Sequence, residues 1–403
     1  MYRQQWTRIL SALFTIFAFL LIGAVPAGAV TRSVHERPVA PTACGVWSIV
    51  ISPNVGTGAN ALFGVAAVSA SDVWAVGHYT NTSNVLQTLI EQWAGTSWSV
   101  VTSPNAGTGA NSLAAVTAIS ADEVWAVGYA DNTSGVPRTL IEEWNGTSWG
   151  IVPSPNVGPN ANYLYAVAGD AANDVWAAGV HTSASGRTFT MIEHWDGTSW
   201  SVVPSPSLGT GNNVLSGVAA ITPTDAWVVG SYVNGSNVTR TLIEQWNGTN
   251  WGIVHSADIG TGMNSLAAVT ALSASDVWAV GVHQNASGGQ QALIEQWNGS
   301  RWAPIASAHA GSVNNFLTGV AALSTTNIWA AGGYFITGKV NQAGTEQWNG
   351  TKWVAVSSPN EGTGPNFFNG IAAVPGSTSQ LWAVGSYAKT STSPAQTLIE
   401  QRC

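Results

Sequence analysis

Charged side chains are scarce in this sequence: 12 Lys and Arg and 20 Asp and Glu among 403 residues, a formal net charge of −8. So thin and mildly acidic a distribution excludes a nucleic-acid or anionic-membrane partner, since both demand clustered cations. Long apolar runs are also missing after the first 29 residues, and no later stretch carries a 3.6-residue period. A helical fold is therefore excluded. Cysteine occurs only at Cys44 and Cys403, and the seven histidines, from His35 to His309, show no metal-ligand spacing. Calcium loops with alternating Asp are absent too, so no metal or cofactor is expected.

The one apolar run, Ile9 to Val25, follows Arg3 and Arg8 and precedes "PAGA", with small Ala27 and Ala29 at the minus-three and minus-one positions of a cleavage site. Residues 1–29 read as a signal peptide; the alternative is an uncleaved membrane anchor. Removal leaves ten basic against twenty acidic residues, a formal charge of −10. A Pro-containing tether, residues 30–43, follows. Export places the two cysteines in an oxidising compartment.

What the sequence has in abundance is tryptophan and repetition. Tryptophans in "DVWAVG"-type segments stand at 74, 125, 176, 227, 278, 329 and 382. Others stand at 47, 98, 149, 200, 251, 302 and 353, each 51 residues after the last. Seven units of about 50 residues, each with four short extended runs such as "ALFGVAAVS", "DVWAVGHY", "QTLIEQW" and "WSVV", predict an all-β, seven-bladed β-propeller of four-stranded antiparallel blades over residues 44–403. The units begin with a fourth strand at Trp47 and finish with three strands ending at Arg402, so the N-terminal strand is expected to complete the last blade. Aligned on the "EEWNGTSW" hairpin, Arg402 takes the place of Trp144, Cys403 that of Asn145 and Cys44 that of Gly146. The cysteines replace a tight turn, close enough for a disulfide. Two free thiols or an intermolecular bridge are the alternatives.

The segment "IEQWNGTNWGIV", with Trp on either side of the turn, resembles the third and fourth strands of kelch-type propellers, and the resemblance runs from Trp47 to Cys403. The chain is also similar to secreted bacterial repeat proteins with "DVWAVG" and "SPNVGTG" segments. Paired kelch glycines are mostly single here: Gly77, Gly128, Gly179, Gly230, Gly281 and Gly385, with a pair only at Gly332 and Gly333. The resemblance implies the fold and no particular activity.

Residues repeated in every unit read as structural. The tryptophans are expected to pack between blades, and the columns Glu91 to Glu400 and Asp72 to Asp276 to hold backbone or neighbouring-blade groups. "GTSWG" at 146–150 matches a nucleophile-elbow pattern but lies in a hairpin turn with no helix after it. "GTG" lacks the remainder of a phosphate or dinucleotide loop. No catalytic residue is expected, and a carbohydrate-active enzyme would need an asymmetric acid pair at the central opening.

Strand alternation sends the ten-residue links between units and the loops after each second strand to one face, and the short turns to the other. The long-loop face is the expected binding face. Just past the second strands lie Tyr79, Ala130, His181, Tyr232, His283, Tyr334 and Tyr387; at the third strands lie Gln87, Arg138, Phe189, Arg240, Gln291, Gln342 and Gln396. Rings beside planar donors suit a sugar, so Tyr79, His181, Tyr232, His283, Tyr334, Tyr387, Arg138 and Arg240 are the candidate ligand-binding residues. The function expected is a secreted, monomeric, non-catalytic module that binds extracellular glycan. A protein-binding scaffold, marked by an apolar patch on the outer strands or turn face, is the alternative. The sixth unit, with His309, Phe316, Phe335 and Lys339, departs most from the pattern.

Overall fold

A computed structural model of the chain describes residues 45–308, 314–335 and 340–403. The expected signal peptide, the tether, Cys44, His309 and Lys339 lie outside the described residues. Those described form 28 strands in seven four-stranded antiparallel sheets, with no helix. Blade 1 is Asn60–Ser69, Asp72–Thr80, Leu86–Trp93 and Trp98–Val101. Blades 2 to 6 repeat this meander, their first strands being Asn111–Ser120, Asn162–Ala171, Asn213–Thr222, Asn264–Ser273 and Asn314–Ser324. Blade 7 has Asn366–Ala373, Leu381–Ala388 and Ala395–Arg402, and its outer strand is Trp47–Ile49 from the other end of the chain.

Each first strand touches the first strands of both neighbouring blades, and the circuit closes from blade 7 back to blade 1. The first strands are therefore innermost. Closure is by register: Trp47 pairs with Arg402, Ser48 with Gln401 and Ile49 with Glu400. Gly45 N donates to Cys403 O at 3.0 Å.

Tryptophan packs the blades together. Trp74 of blade 1 is fully buried and meets Trp144 and Trp149 of blade 2 at centroid distances of 4.9 and 5.3 Å, the second edge-to-face. The same trio recurs as Trp125 with Trp195 and Trp200, Trp176 with Trp246 and Trp251, and on around the ring. Between blades 6 and 7 one ring is missing. There Trp47 meets Trp329 edge-to-face at 5.8 Å, and the guanidinium of Arg402 lies 4.5 Å over the Trp329 ring, replacing an aromatic contact by a cation–π one.

The single glycine of each second strand has a steric cause. In blade 1 the inner strand is bulged, Leu62 pairing with Gly77 and Gly64 with Val76, so that the register shifts across Phe63. A Cβ on Gly77 would lie 1.9 Å from Ala61 O. Equivalent shifts recur in all seven inner strands.

The hairpin between third and fourth strands differs from a two-residue Asn-Gly turn. Only the glycine has positive φ, +85° at Gly146, and the loop spans 145–148. Asn145 Oδ1 instead accepts from Thr147 N and Ser148 N at 3.0 and 3.1 Å.

Candidate functional site

The link face is built from asparagine upward. In blade 4, Asn213 is fully buried at the start of its strand; its Oδ1 accepts from Leu208 N at 2.7 Å and its Nδ2 donates to Leu208 O and Gly211 O. Asn60, Asn162, Asn264 and Asn366 do the same, so each staples the link that enters its own blade. A second device straddles the blades. Ser103, in the link from blade 1 to blade 2, bonds Thr88 of the first at 2.7 Å and the Glu142 carboxyl of the second at 2.9 Å. Ser307 and Ser358 reach Glu346 and Glu400 at 2.7 Å each, and Ser256 reaches Glu295.

These glutamates are fully buried. Burial pushes Glu91, Glu142, Glu193, Glu244 and Glu400 up to about 8 and Glu295 up to about 7. At neutral pH they act mainly as neutral hydrogen-bonding acids.

The predicted ligand-binding residues form cross-strand pairs. The second strands run one or two residues further than their pattern suggested, so Tyr79, Ala130, His181, Tyr232, His283, Tyr334 and Tyr387 lie inside them. They pair with Gln87, Arg138, Phe189, Arg240, Gln291, Gln342 and Gln396. Much of their polar chemistry is already engaged. Tyr334 and Tyr387 donate to Gln342 Oε1 and Gln396 Oε1 at 3.0 and 2.7 Å. Arg138 donates to the carbonyls of Gly158, Pro159 and Asn160, and Arg240 to those of Thr261 and Gly262 with Asp258 at 3.7 Å. Arg187, which the sequence reading passed over, does the same to Gly209 and Gly211 while lying 4.4 Å over Phe189. These three arginines fasten the next link, each along its own blade boundary. Tyr79, Tyr232 and Tyr387 rest half-buried against inter-blade clusters. His181 stacks on Phe189 at 5.5 Å, and burial lowers the pKa of His181 and His283.

Two further features escaped the sequence reading. The residues at the register shifts of the inner strands are Phe63, Ala114, Tyr165, Ser216, Ala267, Thr318 and Asn369, a column that varies as the tryptophan columns do not. Beside it Tyr129 meets Tyr163 edge-to-face at 5.1 Å, Tyr163 stacks on Tyr165 at 5.9 Å, and Phe63 lies 5.1 Å from His78. The inner wall is thus aromatic on some blades and small on others; the available signal was departure from the repeat. The second feature is a hollow of about 350 Å³ on the link face, lined by Val340 and Gln342, by the link residues Asn360, Gly362, Thr363 and Gly364, and by Asn366 of the seventh blade.

Solved structures share the fold. An ulvan lyase, a polysaccharide lyase bound to a GlcA–Rha3S saccharide, superposes with a TM-score of 0.54 at 10% identity over 90% of this chain and 95% of its own. YCF48 bound to a peptide gives 0.52 at 13% identity, over 88% and 96% of the two chains. YCF48 from Cyanidioschyzon merolae gives 0.51 at 12%, over 89% and 98%. No protein-family model matches the sequence, and no curated protein does. At such identities the propeller architecture is what is shared, and this architecture serves both a saccharide ligand and a peptide ligand in those proteins.

One blade carries an asymmetric acid cluster, on the turn side. His194 stands where blades 1, 4, 5 and 6 have a glutamine bonded to Asp or Asn, as in Gln92 with Asp72 at 3.0 Å. Its Nε2 lies 2.5 Å from Asp174 Oδ1, and burial together with a hydrogen bond to Asp174 pushes Asp170 up to about 6. Among the described residues no three His, Cys, Asp or Glu side chains converge as a metal site.

Proposed function

We propose that the mature protein is a secreted, non-catalytic binding module whose link face recognises extracellular glycan, with Cys44 and Cys403 joined across the ring closure. The observation that carries this reading is the row of Tyr79, Tyr232, His283, Tyr334 and Tyr387 rings set directly across from Gln or Arg on one face. Ring faces offer stacking to sugar C–H groups and the glutamine amides offer planar donors. The arginines contribute rigidity, since their donors hold the links. The non-catalytic part rests on the buried glutamate column, of which Glu142, Glu295, Glu346 and Glu400 are engaged with link serines, and on the acid pair of blade 3 lying at the turns rather than at the central opening.

Protein binding is the second reading. It is favoured by Val100, Ile151 and Val202, 45%, 43% and 39% exposed on the outer strands of three successive blades, and by the peptide held by YCF48. A glycan array probed with the mature protein and with Tyr79→Ala and Tyr387→Ala separates the two. The glycan reading expects selective saccharide signals that both variants weaken by about tenfold. An array without signal, or binding that ignores both variants, removes it.

A further inference from the structure

Blade 2 departs from the repeat at three consecutive residues where its second strand ends. The position of Tyr129 is His, Val, Ser or Gly elsewhere, and that of Ala130 holds a Tyr or His ring in the other six blades. Asp131 is the acid in a column that otherwise reads Thr80, Thr182, Val233, Gln284, Phe335 and Ala388. The ring thus stands one residue earlier, on the opposite side of the strand. Tyr129 meets Tyr163 of blade 3 edge-to-face, and Tyr165 stacks on Tyr163 with the ring planes 9° apart. At the matching boundaries elsewhere, His78 bonds Ser112 at 2.9 Å and Phe316 stacks on Phe367 at 6.2 Å.

The three tyrosines are half-buried, and among the described residues their phenol oxygens have no hydrogen-bond partner, unlike those of Tyr334 and Tyr387. Asp131 is half-buried as well and forms no ion pair among the described residues. Arg138, opposite Ala130, is engaged with the carbonyls of Gly158, Pro159 and Asn160. Burial pushes the Asp131 carboxyl up; burial, and after it the Asp131 charge, pushes the Tyr129 hydroxyl up to about 12. The same charge adds, after burial and Tyr129, to the rise at Tyr163. The field of the carboxylate therefore reaches both rings, which stay neutral.

We propose that Tyr129, Tyr163 and Tyr165 with Asp131 form a site for an organic ammonium ion at the boundary of blades 2 and 3. Ring faces present the negative side of the π quadrupole, the phenol oxygens accept N–H bonds, and Asp131 supplies the counter-charge. A half-buried carboxylate without a partner is unfavourable by itself, and a bound cation relieves that cost. A sugar would use the rings and leave the carboxylate unneutralised. An inorganic metal ion is poorly served, since among the described residues no three ligating side chains converge. The site does not depend on the glycan reading.

Asp131→Thr and Tyr163→Ser test the proposal by installing residues that other blades carry at these positions, so circular dichroism should be unchanged. Isothermal titration would compare choline, acetyl-lysine methylamide and the neutral isostere of choline, in which carbon replaces nitrogen, against the wild type and both variants. At least one cation is expected to bind the wild type about tenfold or more tighter than the neutral isostere, and each variant to weaken it by about tenfold. Which cation binds tells a choline-type headgroup from a lysine side chain. Should one variant fail to fold, the other decides. The site is overturned if the wild type binds neither cation, if the isostere binds equally well, or if cation binding is indifferent to the folded variants.

Discussion

At the scale of residues, the glutamate column shows how a repeated charge can be structural. Burial raises the carboxyls of Glu91, Glu142, Glu193, Glu244, Glu295 and Glu400 from their usual value near 4.5 to about 7 or 8. Between about 4.5 and 8 the unfolded chain has released protons that the folded chain retains, so this contribution to stability is full in acid and falls as pH rises. Thermal melts should therefore show a lower midpoint at pH 9 than at pH 6. Glu244→Gln keeps the shape and removes the titration; it should regain about 1–3 kcal/mol at pH 9 and change little at pH 5. An unchanged alkaline melt would show that the Glu244 carboxyl ionises freely in the fold.

Elements are held by the links as much as by the strands. Asn213 supplies three hydrogen bonds to one link from a fully buried position, so Asn213→Ala leaves buried backbone groups unpaired. A loss of about 1–3 kcal/mol is expected in urea titration, together with faster amide exchange at Leu208. Asparagine stands at this position in all seven units, from Asn60 to Asn366, which marks it in the sequence as a structural residue. The arginines at 138 and 240 were legible only as polar residues near a face. Their guanidiniums turn along the sheet to the carbonyls of the following link, a direction that depends on the neighbouring blade and on no local pattern. The bulges escaped for a related reason, because an extra residue in a strand shows itself only in its register with a partner.

For the whole molecule, closure joins the first described strand to the last by three residue pairs, with Gly45 N and Cys403 O at 3.0 Å beyond them. The proposed Cys44–Cys403 bond would add a constraint of roughly 6 kcal/mol by loop entropy, an upper figure for a loop of about 360 residues. Cys403→Ser should lower the melting midpoint in non-reducing buffer, and reduction should lower the wild type to the same value. A midpoint insensitive to both would show that hydrogen bonding and the Trp47–Trp329 contact suffice to seal the ring.

By itself, the sequence determined the number of blades, their four strands, the staggered closure and the placement of tryptophan between blades. These follow from periodicity, and a period survives without coordinates because each repeat must bury the same faces against its neighbours. Only the tertiary structure decided which rim groups are already engaged, where the inner strands bulge and which blade opens a hollow. Those depend on distances between residues far apart in the chain, such as Arg240 reaching Gly262 in the link to the next blade. A one-dimensional pattern records that a position differs. The space left by that difference appears only once the neighbouring atoms are in place.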